Sequence, residues 1–238
     1  MRILLLGDVC GPAGMRIIQS KLSELIKERK IDFTIANGEN AADNGKGITK
    51  KNFRDLRNSG VDVVTSGNHI WDQKEILEII DKEKKIIRPA NLLEGQPGNG
   101  YGIYEVKNKK IAVINLIGNV FMKKSQDLFS FTEKIIKNIQ LKKNADFIIV
   151  DIHGEITSEK MALGHFLDGK VTTVVGTHTH VPTSDTKILK NGTAYQTDLG
   201  MCGDYDSVIG MNKDNSIKKF KKDPSAENHY PANGEASL

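Results

Sequence analysis

Five short apolar runs in this chain each lead into a polar cluster, and that repetition constrains the fold more than any other feature. The clusters are GDVCG (7–11), NGEN (37–40), GNH (67–69), DIHGE (151–155) and GTHTH (176–180). A brief apolar run closed by glycine or polar residues reads as a buried strand. In an open α/β sheet, ligands bind beyond the carboxyl ends of the strands. Five strands of this kind can therefore bring five polar clusters to one crevice.

The intervening segments support that architecture. Strands are expected over 2–7, 32–38, 61–69, 145–153 and 170–178. Helical spacing of Ile17, Ile18, Leu22, Leu25 and Ile26 predicts a helix over 12–29. Further helices are expected near 49–59, over 125–141 and over 158–167. Asp72 followed by Glu75 reads as a D-x-x-E capping box that opens another helix. Residues 89–100 form a turn-rich connection, 101–118 a hairpin about KNKK, and 187–197 a hairpin about Asn191-Gly192. Alternation followed by hairpins indicates α/β with mixed sheets. Nothing divides residues 1–238, which read as a single domain ending in a polar tail, 223–238, with no clear element.

Composition excludes several classes. No apolar run approaches the ~20 residues of a membrane span. The opening RILLLGD lacks the length and cleavage site of a signal peptide. The only cysteines, Cys10 and Cys202, form no CxxC pair, which fits a reducing compartment; a cytoplasmic location is expected. A net charge of +4 is too mild to argue for nucleic-acid binding, and the lysines of 107–143 and 218–222 read as solvated faces.

The clusters carry residue types that hold metals. His178 and His180 are two apart, so in extended chain they project to one side. Four of the six histidines sit at strand ends; His165 and His229 do not and read as ordinary. Asp8 is either a ligand or the cap of the following helix. Glu39 is a carboxylate at a partly buried strand end, where unpaired acids are rare. Asn40 offers an amide oxygen or serves a turn. Gly67 permits a sharp turn or a close approach, and Asn68 offers another amide oxygen. His69 should point away from its neighbour, and a reference pKa of ~6.5 suits it to acid–base work. Trp71 reads as packing. Asp72 either orients His69 or caps a helix, and the cap is the preferred reading. Asp151 and Glu155, flanking His153, either support a ligating histidine or are solvated charges, and they stay outside the predicted site.

Together these clusters resemble the calcineurin-like metallophosphoesterase superfamily, with its N-terminal Asp, bridging acid, GNH, lone His and final GHxH. The likeness is closer to the YmdB-type branch: MRILLLGDVCGPAG, FTIANGENAADNGKGIT, SGNHIWDQKEI, RPANLLEGQPGNG, TSEKMALGHFLDGKVTTVVGTHTHV and GTAYQTDLGMCGDYDSVIGM look like that family's blocks over about residues 1–220. The resemblance implies a four-layer αββα sandwich with mixed sheets. It implies two metal ions, iron by family habit with Mn or Zn compatible, held by Asp8, Glu39, Asn40, Asn68, His153, His178 and His180. It also implies hydrolysis of small phosphodiesters, 2′,3′-cyclic nucleotides above all, by a metal-held hydroxide with His69 as proton donor. A homo-oligomer is expected. A nuclease or phosphomonoesterase on the same site, or a nucleotide-sensing regulatory protein, are the alternatives. Substrate choice is expected from the loops at 89–100 and 198–212. Two departures stand out. Cys10 occupies the place of the superfamily's first-motif His, so Asn40 is expected to supply that ligand and Cys10 to pack. The family usually continues beyond GEASL into a last strand pair, which leaves a sheet edge and an oligomer interface open here.

Overall fold

All five expected strands form, and they divide between two facing sheets. The computed structural model describes residues 1–238. Its first part runs β1 (Ile3–Val9), α1 (Gly11–Arg29), β2 (Phe33–Asn37), α2 (Lys50–Ser59) and β3 (Val63–Thr65). Then follow β4 (Tyr101–Val106), β5 (Lys109–Ile117), α3 (Leu128–Asn138), β6 (Phe147–His153), α4 (Thr157–Phe166) and β7 (Thr173–Thr177). The chain closes with β8 (Lys187–Ile188), β9 (Ala194–Gln196), β10 (Met201–Asp204), α5 (Lys213–Phe220) and β11 (Ala236–Ser237).

One sheet has the order β11-β10-β1-β2-β3 and the other β4-β5-β6-β7-β9-β8. Their inner strands are parallel; β11, β4 and β8 pair antiparallel with their neighbours, so both sheets are mixed. Period-two alternation explains the layering. On β6, Ile148, Val150 and Ile152 pack with Leu128 and Ile135 of α3 and Leu163 of α4. On the other face of the same strand, Ile149 joins Phe33, Ile35, Val63 and Val113 between the sheets. Ile18 and Leu22 of α1 and Leu56 of α2 pack with Ala36 and Val64 on the outer face of the first sheet. The result is helices, sheet, sheet, helices: the expected αββα sandwich.

The inner layer changes character along the strands. At their starts it is apolar, and at their ends Asn37, Thr65, Asp151 and His153 take the same facing positions, all buried. Regular alternation from Leu4 and Leu6 would turn Asp8 outward, toward α1. A register shift between Leu6 and Asp8 prevents this. Gly7 sits in that bulge, and a Cβ there would collide with the carbonyl oxygen of Gly200.

Three expectations are corrected. The strand predicted over 61–69 ends at Thr65, so GNH lies beyond it. The helix after Asp72 is only a 3-10 turn, Lys74–Glu78, with Gln73 at its N-cap. Neither capping-box residue caps it: Glu75 accepts the backbone N–H of Lys50 at 2.7 Å instead, tying the turn to the start of α2. The tail over 223–238 is not featureless. Pro231 and Ala232 are buried, Gly234 donates its N–H to Asp204 at 2.7 Å, and β11 pairs with β10.

Candidate metal centre

The first sheet delivers Asp8 at the end of β1, Glu39 and Asn40 after β2, and Asn68 and His69 after β3. The second delivers His153, the last residue of β6, and His178 and His180 just past β7. These eight residues, predicted from five separate segments, meet at the seam between the sheets.

The geometry converges on His153. Its Nε2 lies 3.0 Å from Glu39 Oε1, 3.0 Å from His178 Nδ1 and 3.1 Å from Asn68 Oδ1. One ring nitrogen cannot satisfy three acceptors at once; a point where an oxygen from each of two residues and two imidazole nitrogens crowd together is arranged for a cation. Glu39, His153 and His178 each place a donor atom within 4.8 Å of the others. A second set adjoins it: His180 Nε2 is 3.3 Å from Asn40 Oδ1 and 3.9 Å from Asp8 Oδ1. Asn40 donates its amide N–H to Gly45 at 2.8 Å, which leaves its oxygen aimed at the site.

Two further observations fit a metal here. Asp8 Oδ1 is buried with no hydrogen-bond partner, a costly state for a carboxylate unless a cation meets it. A Cβ on Gly67 would overlap Glu39 Oε2 and the His153 ring, so only glycine leaves the cradle open. The donor set is imidazole, carboxylate and amide, which suits iron, manganese or zinc rather than a thiolate-rich site. Cys10 is buried beside His180, with its Sγ 3.8 Å from the Gly210 carbonyl.

Electrostatics point the same way. Burial alone would depress His153, but Glu39 and Asp8 outweigh it and push its pKa up to about 9. Burial likewise opposes protonation of His180, yet Cys10 and Asp8 raise it to about 10. Glu39 is held below the usual carboxylate range: burial opposes this, and the charge and hydrogen bond of His153 prevail. Asp8 is raised, chiefly by burial. His178 falls to about 4 through burial and the neighbouring His153. The pocket's acids therefore gather positive charge onto adjacent imidazoles.

The pair His178 and His180 does not sit in extended chain as expected. β7 ends at Thr177, and both histidines have left-handed backbone, φ 104° and 64°. Such strain in non-glycine residues persists where the surroundings enforce it. The turn splits the pair: His178 reaches His153, and His180 reaches Asp8 and Asn40.

Supporting groups resolve the open readings. Asp151 is buried and accepts from Thr65 Oγ1 at 2.5 Å and Thr177 Oγ1 at 2.8 Å. Thr177 Oγ1 is also 3.0 Å from His153 Nδ1. A relay from His153 Nδ1–H through Thr177 to Asp151 assigns the tautomer that leaves Nε2 facing the site. Glu155 lies 3.2 Å from His178 Nε2, on the ring edge away from His153. Asp72 does not cap; its Oδ2 is 2.7 Å from His69 Nδ1. His69 also donates its backbone N–H to Glu39 at 3.0 Å.

Sequence reasoning missed one pair entirely. Lys160 of α4, 1% exposed, bonds Asp198 at 2.8 Å and the Thr177 carbonyl at 3.3 Å. Asp198 also accepts the Thr179 N–H at 3.2 Å. This buried ion pair clamps the backbone on both sides of His178. A lysine on a helix and an aspartate in a loop 38 residues later carry no motif that would announce it.

A cleft of about 560 Å³ opens at the cradle and includes Glu39, Asn40, His69, His178 and His180. Val208, Ile209 and Met211 line it, and so does His229, read from sequence as ordinary; the 89–100 loop does not. A larger hollow of about 650 Å³, between Phe33, Asp62 and Tyr104, lies near the strand starts and touches none of the predicted residues.

An αββα sandwich with these donors at its strand ends defines a metallophosphoesterase-type domain. The YmdB-like protein family model matches residues 4–238, and the chain belongs to that family. It is 47% identical over 221 residues, 93% of this chain and 83% of the relative, to the 2′,3′-cyclic-nucleotide 2′-phosphodiesterase of Bacillus subtilis (strain 168). The crystal structure of a hypothetical protein from Thermus thermophilus superposes with a TM-score of 0.91 at 41% identity, covering 99% of this chain and 90% of that one. That of a novel phosphatase from Mycoplasma pneumoniae gives 0.87 at 39%, covering 97% and 82%.

Proposed function

We infer that this protein is a metal-dependent phosphodiesterase acting on small phosphodiesters, 2′,3′-cyclic nucleotides first among them. The observation that carries the reading is the convergence of Glu39, Asn68 and His178 on His153 Nε2 beside the orphaned Asp8 oxygen. The activity named for the Bacillus subtilis relative supports the substrate class. Two ions, iron by family resemblance with manganese or zinc compatible, would be held by Asp8, Glu39, Asn40, Asn68, His153, His178 and His180. Such ions supply Lewis acidity and an activated water to phosphoryl chemistry.

The chain's own residues do the rest. Asn40 and Asn68 add donors without cancelling the positive charge that meets a phosphodiester anion. Thr177 and Asp151 hold His153 in its ligating tautomer. His69 lines the cleft with Nδ1 engaged by Asp72, which leaves Nε2 to protonate the departing ribose 2′ oxygen. Replacing His69 by Ala is expected to keep the metal content and lower turnover of alkyl diesters about 10²- to 10⁴-fold, with less effect on diesters carrying activated aryl groups. Unchanged alkyl-diester turnover would remove His69 from this role. Metal analysis alongside a screen of cyclic nucleotides, linear diesters and monoesters tests the wider reading.

Of the lysines in 107–143, Lys123 stands at the centre, bonding the Asn68 carbonyl at 2.5 Å, while two others pair with acids far from it. Lys107 pairs with Asp32, and Lys109 with Asp146 at 3.2 Å, at the strand starts, away from the cleft. No helix is long and apolar enough to cross a membrane. The free, buried Cys10 and Cys202 fit the cytoplasmic location we favour.

A further inference from the structure

The cleft at the cradle has two unlike linings. Polar residues of the centre form one. Val181, Ile209 and Phe220 belong to the other, at 55%, 52% and 82% exposure. Nothing in the chain covers them, and an exposed apolar cluster continuous with a site commonly marks a binding groove. Core packing does not account for Phe220. It ends α5, whose buried residues are Asn215 and Ser216, and that helix is anchored by polar contacts of Asn215 to the carbonyls of Glu227 and Asn228 at 3.2 and 3.1 Å. The helix would sit where it does without an aromatic ring at its end.

Ile209 joins the two linings. Its φ of 49° is left-handed, an outlier for a β-branched residue. In this conformation its carbonyl lies 2.7 Å from His180 Nδ1, while the residue lines the same cleft. The backbone group that orients a candidate ligand therefore belongs to the residue that builds the apolar wall. A cleft of about 560 Å³ is in the range of small-molecule sites.

We propose that Phe220, with Ile209 and Val181, is the nucleobase subsite: the base stacks on the Phe220 ring while the phosphodiester lies at the metal centre. This deepens the phosphodiesterase reading and rests on it. Stacking reads the π-face that every base has, so the wall favours nucleotides over base-free diesters while discriminating little between base edges.

The test compares kcat/KM for 2′,3′-cyclic AMP with that for ribose 2′,3′-cyclic phosphate, the same cyclic diester without a base. Wild type should prefer the nucleotide. Phe220→Ala should lower that preference about 5- to 100-fold, mainly through KM, and Phe220→Trp should keep it. An unchanged preference in Phe220→Ala overturns the subsite. So does an equal loss on both substrates, which marks a structural role. A change of molecular mass by light scattering with the preference intact also overturns it and makes the wall an interface between copies. Wild-type enzyme that hydrolyses both compounds equally well defeats the subsite alone. If it hydrolyses neither, the phosphodiesterase reading falls and the subsite with it.

Discussion

The two sheets divide the candidate centre by chemistry. The first brings acids and amides: Asp8, Glu39, Asn40 and Asn68. The second brings imidazoles: His153, His178 and His180. Each half is electrostatically incomplete. Acids alone at the end of the first sheet would be buried and unpaired, and the histidines alone would be desolvated without a counter-charge. Their mutual contacts, 3.0 Å between Glu39 and His153 and 3.8 Å between Asp8 and His153, balance the charge only across the seam. The centre is therefore a property of how the sheets face one another, and the apolar layer of Phe33, Ile35, Val63, Val113 and Ile149 sets that facing.

The halves also differ in how they are braced. Glu39 is held within the first sheet's own loops, by the His69 N–H. The histidines depend on buried polar pairs: Thr177 with Asp151, and Lys160 with Asp198. Damage to the first half should thus strike chemistry, and damage to the second should strike stability as well.

The sharpest break is Glu39→Gln, which keeps shape and removes charge. Metal content should fall and diester turnover should drop on the order of 10³-fold, while the metal-free protein still folds cooperatively by circular dichroism. Next is Lys160→Met, which strands Asp198 as a buried unpaired charge. A loss of about 3–5 kcal/mol is expected in denaturant unfolding, with much of it recovered in the double variant Lys160→Met/Asp198→Leu. If the single variant were as stable as wild type, the clamp would not matter to the second half. Thr177→Val cuts the relay between His153 and Asp151 and should weaken metal affinity about 10- to 100-fold in a chelator competition.

A pH experiment separates the halves without mutation. In metal-free protein, His153 and His180 are raised above their unfolded value of 6.5, to about 9 and about 10. Their stabilisation is full below pH 6.5 and is lost as pH rises through those values. The melting temperature of chelated protein should fall between about pH 6.5 and 10, and metal should flatten the slope by displacing the protons. A rising melting temperature over that range would contradict the charge balance across the seam. The smallest effect belongs to the far rim: Lys109→Ala breaks an exposed pair with Asp146, and should leave both the melting temperature and the activity nearly unchanged.

Much of this is legible in the chain. Strand ends, helix positions and the ligand-type residues follow from local patterns, because period-two and helical spacing act over a few residues. Asp72 misleads because D-x-x-E is a local signature, while its actual partner, His69, is chosen by where the chain turns after β3. The extended geometry expected for His178 and His180 fails for a similar reason, since β7 stops one residue before the first of them.

By itself the sequence determined the alternating strands and helices and the polar residues that close five of them. Tertiary structure alone decided that Asp8 turns inward at the Gly7 bulge, that Lys160 meets Asp198, and that Phe220 and Ile209 stand beside the cradle. Each of these depends on contacts between segments far apart in the chain. Local spacing carries no information about such contacts until the sheets have packed.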